Sequence, residues 1–190
     1  TAKITPSLKF PYSRSAMRTI ELLAPAKDLE CAIAAIDSGA DAVYIGGPSF
    51  GARVNAPNSL EDLKKLCDYA HLFSVKVHVT LNTILTDEEL KAARDLAFKL
   101  YDIGVDALII QDLGLLNGPL PPLELHASTQ QNNATVDKVL FLEQCGFSQA
   151  VLARELSLNE IRTIHENTHI KLEAFIHGAL CVGISGRCYL

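Results

Sequence analysis

The 190-residue sequence has no tryptophan, a single methionine and no long apolar run. No stretch approaches the roughly 18 consecutive apolar residues that span a bilayer, and no basic start followed by an apolar segment opens the chain. These absences argue against a membrane span and a secretory leader. The five cysteines are odd in number and lack a dense spacing framework. That argues against a disulfide scaffold and for thiols that are buried or bind metal in a reducing compartment, so the cytoplasm is the expected location. Cations are short as well: 17 Lys and Arg face 22 Asp and Glu, for a formal net charge of −5. The chain therefore has no global attraction for nucleic acid, and an RNA partner would need a local basic patch or a basic region outside it. What is present is 48% hydrophobic and 21% charged residues, ordinary globular material able to bury a full core.

Residues 1–18 carry Pro6, Pro11, Ser13, Arg14 and Ser15 without period or apolar cluster, and read as an arm or tag remnant. Beyond them, short aliphatic runs alternate with amphipathic segments. Strands are expected over 20–23, 42–45, 76–81, 107–110, 123–127, 150–153 and 171–176, and helices over 28–38, 59–73, 86–103, 134–145 and 157–167. Thr86 with Glu89, and Ser157 with Glu160, have capping-box spacing, in which each side chain satisfies a free amide at a helix start. A weak repeat fixes the strand register: Gly39-Ala-Asp-Ala-Val-Tyr-Ile45, Gly104-Val-Asp-Ala-Leu-Ile-Ile110 and Gly146-Phe-Ser-Gln-Ala-Val-Leu152 each place a helix-ending glycine before a strand apolar on both faces, as parallel sheets require. The turn after the first strand, Ala24-Pro25-Ala26-Lys27-Asp28, is no dinucleotide fingerprint, so a doubly wound fold is set aside. The expectation is an α/β fold, a TIM-like (β/α) barrel. A full barrel needs roughly 250 residues and eight strands. Seven fit here, so residues 19–190 are expected to form the N-terminal portion of a barrel that continues beyond the chain end.

Barrel active sites lie at the carboxyl ends of the strands. The residues that fall there are polar: Arg53 and Asn55 after the second strand, Asn82 after the third, Gln111 and Asp112 after the fourth, and His126, Ser128 and Gln130 at the fifth. Arg154 and Glu155 follow the sixth, and His177, Cys181 and Cys188 the seventh. Arginines 53 and 154 could grip carboxylate or phosphate in forked geometry. Any one of these could instead serve the loops, and Arg154 with Glu155 could be a structural ion pair. Cys31, Cys67 and Cys145 fall on helices and read as packing residues. Cys181 and Cys188, among Gly178, Gly183 and Gly186, read as metal ligands, either of zinc with His177 as a third ligand or of an iron–sulfur cluster completed by two further cysteines. His165-Glu166-Asn167-Thr168-His169 matches the H-E-x-x-H zinc pattern but straddles an expected helix end, which argues against a metal site there.

Glu173-x-Phe175-x-x-Gly178-Ala179-x-Cys181, followed by Ser185-Gly186-x-Cys188, resembles the signature of the collagenase-like peptidase family, whose catalytic type is unknown. Leu125-His126-Ala127-Ser128-Thr129-Gln130 and Ala153-Arg154-Glu155-Leu156 match it too. The stretches Gly46-Gly-Pro-Ser-Phe-Gly-Ala-Arg53 and Phe175-Ile-His-Gly-Ala-Leu-Cys-Val182 look most like the branch that hydroxylates a cytidine of large-subunit ribosomal RNA. Sister branches act on tRNA uridine or ubiquinone precursors. The resemblance implies oxygen-independent hydroxylation of ribosomal RNA or tRNA, a four-iron, four-sulfur (4Fe-4S) cluster, and prephenate as hydroxyl donor. Cys181 and Cys188 would be two of its four ligands. Arg53, Asn82, Gln130 and Arg154 would bind the substrates, and His126, Glu155 and His177 would orient the donor or move protons. A collagenase-like peptidase is the alternative, and the isolated fragment is expected to be inactive.

Overall fold

The computed structural model describes residues 20–52, 58–178 and 181–187. Seven strands, β1 (Leu23–Ala26), β2 (Ala42–Gly46), β3 (Lys76–Leu81), β4 (Ala107–Ile110), β5 (Glu124–Ala127), β6 (Gln149–Val151) and β7 (Lys171–Glu173), form one parallel sheet in sequential order. Helices α1 (Leu29–Asp37), α2 (Leu60–Leu72), α3 (Asp87–Asp102), α4 (Val136–Gln144) and α5 (Leu158–Asn167) fill the crossovers. Only the β4 to β5 link differs, with a 3-10 turn over Leu113–Leu116.

Local chemistry sets the helix ends. Asp28, Ser59, Thr86, Thr135 and Ser157 each cap a helix start through the side chain, and both expected capping boxes are formed. The three repeat glycines leave their helices at φ of +95, +96 and +92°, the left-handed conformation that glycine adopts without strain. Ser74 takes that place after α2, at φ 58°, which is why the repeat skips this unit.

Alternate strand residues, among them Val43, Ile45, Val77, Val79, Leu81, Leu108, Ile110, Ala127 and Ala150, share one core with the apolar helix faces around Ala32, Leu63, Leu66, Ala97, Leu100, Val139, Leu142 and Ile164. The intervening positions face the other way. Among them, the rings of His78 on β3 and His126 on β5 meet at 4.7 Å across the intervening β4. Strands two apart in a flat sheet lie about 9.6 Å from each other, so the contact marks the concave interior of a curled half-barrel.

Three expectations shift. The first strand starts at Leu23 rather than Ile20, which is 89% exposed. Its register is fixed by β2, with Leu23 beside Ala42, and Pro25 is tolerated because β1 has a single partner strand among the described residues. The last strand stops at Glu173, and Phe175 and Ile176 are exposed. Cys31 is exposed, because the buried stripe of α1 is Ala32 and Ile36, one position away. Cys67 is buried, which pushes its thiol up to about 12, and Cys145 ends α4 half-buried.

Candidate functional site

Three loops meet at the carboxyl ends of β5, β6 and β7. Arg154, just beyond β6, holds the segment 181–187: its backbone N–H and its Nε both donate to Ser185 Oγ, at 3.2 and 3.3 Å, and its Nη2 donates to the Gly183 carbonyl at 3.0 Å. Ser185 is buried, and its own N–H donates to Glu155 Oε1 at 2.8 Å. That bond is the foremost cause holding the Glu155 carboxyl below the usual carboxylate range. Arg154 and Glu155 thus form no ion pair with each other among the described residues, and both anchor the cysteine loop.

Gly186 closes the other side. It sits at φ +79°, and a β-carbon there would come 2.7 Å from Asn132 Cβ and 3.1 Å from the Gln130 carbonyl. Only glycine lets the segment lie this close to the turn after β5. That turn is itself rigid. Ser128 Oγ accepts from the Gln130 N–H, Asn132 adopts the left-handed conformation, and the fully buried Asn133 donates through Nδ2 to the carbonyls of Ser128 (3.0 Å) and Val151 (2.8 Å), tying β5 to β6.

Cys181 is exposed on this frame. A hydrogen bond with the Arg154 side chain, and secondly one from the Gly183 amide, hold its thiol below the ordinary cysteine range. Cys188 and Arg53 lie outside the described residues. His177 is exposed shortly before Cys181. Among the described residues, no group of three or more His, Cys, Asp or Glu side chains is arranged to hold a metal.

His126 stands elsewhere, buried in the barrel interior rather than at the rim. Its ring contacts His78 edge to face, and its Nε2 lies 3.4 Å from Glu124 Oε2. The Nδ1 atoms of both histidines are buried without a hydrogen-bond partner. Burial, reinforced by the neighbouring His126, pushes His78 down to about 4, and burial lowers His126 as well, so the pair is neutral at pH 7. Sequence reasoning missed His78. The alternation Lys76-Val-His-Val-Thr-Leu81, with Val77 and Val79 on the helix-facing side, is the signal that places it in the interior.

Asn82 serves the backbone, with its Oδ1 accepting from the Ala52 N–H at 3.0 Å. Asp112 is likewise spent on the amides of Leu85 and Gly114. The side chain of Gln130 instead lines an open cleft beyond β4 and β5. In the H-E-x-x-H stretch, α5 ends at Asn167 and Thr168 is extended, so His165 and His169 do not share a helical turn. Gly47-Pro48-Ser49-Phe50-Gly51 has the G-x-S-x-G spacing, which sequence reasoning passed over. Yet the positive φ there belongs to Phe50 rather than to Ser49, and the next helix among the described residues starts at Leu60, unlike a nucleophile elbow.

The family model described as peptidase family U32 matches residues 27–190. A 23S rRNA 5-hydroxycytidine synthase of Escherichia coli (strain K12) is 58% identical over 90% of this chain and 26% of its own length. The tRNA hydroxylation protein P1 of Bacillus subtilis (strain 168) is 39% identical over 90% of the chain and 41% of its own length. A collagenase of Porphyromonas gingivalis (strain ATCC BAA-308 / W83) is 33% identical over 90% of the chain and 44% of its own length. The chain thus spans less than half of each of these relatives. Among solved structures, the U32 peptidase Mk0906 superposes with a TM-score of 0.69 at 14% identity, covering 89% of this chain and 73% of that one. A 2,3-dimethylmalate lyase reaches 0.56 at 16% identity, covering 87% and 70%. These structural likenesses support the TIM-like barrel fold.

Proposed function

The chain belongs to peptidase family U32, and from that premise we propose that it is the barrel segment of an oxygen-independent RNA hydroxylase that forms 5-hydroxycytidine in large-subunit ribosomal RNA, with prephenate as hydroxyl donor. The observation that carries this reading is the 58% identity to a relative named for that product, against 36 to 39% for those named for tRNA hydroxylation. Because the chain covers 26% of the former, the remainder of such a protein would supply the basic surface for RNA that a net charge of −5 withholds here.

The donor set suits a cluster. Cys181 presents an exposed sulfur whose thiolate, the form that ligates iron, is favoured by Arg154, at the start of a loop that Arg154, Glu155 and Gly186 pin further along. Cys181 and Cys188 would be two ligands of a 4Fe-4S cluster, with two more cysteines from elsewhere in the protein. When bound, the cluster supplies one-electron chemistry at the mouth of the barrel. With Arg154 engaged by the loop, Arg53 and the exposed His177 would bind and orient an anionic donor. His126 would act from within, where a neutral imidazole with an unpaired Nδ1 can accept a proton.

Full-length protein purified without oxygen is expected to contain iron and sulfide, and Cys181→Ser or Cys188→Ser to lose both. Full metal content in either variant contradicts the ligand assignment. The peptidase reading rests on relatives that carry such names. It predicts proteolysis that survives Cys181→Ala and disappears in His165→Ala.

A further inference from the structure

One cleft, of about 330 Å³, lies at the carboxyl ends of β4 and β5 and is lined by Ile84, Gln111, Asp112, Gln130, Gln131 and Lys138, among others. Its polar groups are uncommitted to an unusual degree. Gln131 donates through Nε2 to the Ile110 carbonyl at 3.0 Å, but its Oε1 is buried with no partner. Among the described residues, no hydrogen bond uses the side-chain amide of Gln111 or Gln130; Gln130 is held by its backbone N–H alone. Lys138, half-buried on the first turn of α4, makes no ion pair among the described residues. The one carboxylate in the wall, Asp112, already accepts from two backbone amides, at 2.8 and 2.9 Å. Ile84, 78% exposed, adds an apolar face at the rim.

Amides offer a donor and an acceptor side by side, the pattern that pairs with the edge of a nucleobase. A single cation beside them suits one phosphate, and an exposed aliphatic side chain suits the face of an unstacked ring. A dicarboxylate such as prephenate would call for two cations, and among the described residues the cleft has one. The position is apt too: Gln130, which lines the cleft, is one of the two residues against which Gly186 packs, so cleft and cysteine loop share that residue.

We infer that this cleft seats the target nucleotide, an unstacked pyrimidine of single-stranded or loop RNA, with its base edge on Gln111 and Gln130 and its phosphate at Lys138. The inference rests on the RNA-hydroxylase reading above. Enzymes that modify a base take it out of the stack into such a pocket.

The test uses full-length protein and a single-stranded RNA oligonucleotide carrying 5-iodocytidine, photo-crosslinked and mapped by mass spectrometry. The expected crosslinks fall on peptides containing Ile84, Gln111 or Gln130 to Lys138. Crosslinking should drop roughly tenfold or more in Gln111→Leu and in Lys138→Ala, with iron content and circular dichroism unchanged. Crosslinks elsewhere that neither variant weakens overturn the inference, as does a rise in the KM for prephenate with crosslinking intact. The two readings fail separately. Cleft crosslinks together with unaltered ribosomal RNA in a gene deletion would leave a nucleotide site and sink the hydroxylase. Hydroxylation lost in the deletion but normal in both variants would sink the cleft alone.

Discussion

His78 lies on the barrel axis side of β3 with an unpartnered Nδ1 and a neutral ring against His126. Its basicity, pushed from 6.5 to about 4 first by burial and then by His126, makes the fold acid-sensitive. A depressed folded-state value means that the unfolded chain takes up the proton first, so the stabilisation is complete above pH 6.5 and is lost as pH falls towards 4. The shift corresponds to roughly 3 kcal/mol. Glu173, raised by burial, works in the opposite sense, because it relaxes as it gains a proton. His78→Leu should therefore leave the unfolding free energy at pH 7 within about 1.5 kcal/mol of wild type, while flattening its decline between pH 6.5 and 4. An unaltered slope refutes the assignment. Gly186 is the other residue whose identity is forced. Gly186→Ala should cost on the order of 1–3 kcal/mol within the loop, seen as lost iron retention with little change in overall melting. Both residues were legible in part: Gly186 stood out in a glycine-rich segment, and His78 was marked by strand alternation but hidden by an emphasis on strand ends. His126 sat on an expected strand, yet which way its side chain faced depended on pairing with β4 and β6.

The loop 181–187 is an element without regular structure, ordered by three anchors. If Glu155 accepts from the Ser185 amide as the 2.8 Å distance indicates, Glu155→Ala should speed hydrogen exchange at Ser185 tenfold or more, in keeping with the loss of a charge-assisted bond worth about 1.5–3 kcal/mol. Exchange at Ala32 in α1 should not change. Equal rates at Ser185 in both proteins would mean that the loop is held by other means. The sequence placed Arg154 and Glu155 at the working face but read Arg154 as substrate grip and Glu155 as a group that orients the donor or moves protons, or the two as a mutual ion pair. Their engagement with Ser185 joins residues 31 and 30 positions apart, which no local pattern encodes. Helix starts were far more legible than strand ends, because a cap is made by neighbours in sequence, as at Thr86 and Glu89, whereas the limits of β1 and β7 depend on their partner strands.

At the scale of the whole fold, the seven sequential parallel strands of the described residues curl into a half-barrel whose outer face is aliphatic and whose interior holds His78, His126 and Gln149. Parallel alternation was plain in the sequence because β/α units each carry a helix-ending residue and a doubly buried strand. What the barrel does was legible only through the cysteine segment and its family likeness, since 26 to 44% of each of the three reported relatives is matched by this chain. On the proposed function, the full-length protein adds a hydroxyl to a cytidine of large-subunit ribosomal RNA. The decisive measurement is mass analysis of nucleosides from that RNA in a gene-deletion strain. 5-Hydroxycytidine should vanish on deletion, return with the wild-type gene and fail to return with Cys181→Ser. A deletion strain whose large-subunit RNA keeps its full complement of 5-hydroxycytidine would contradict it.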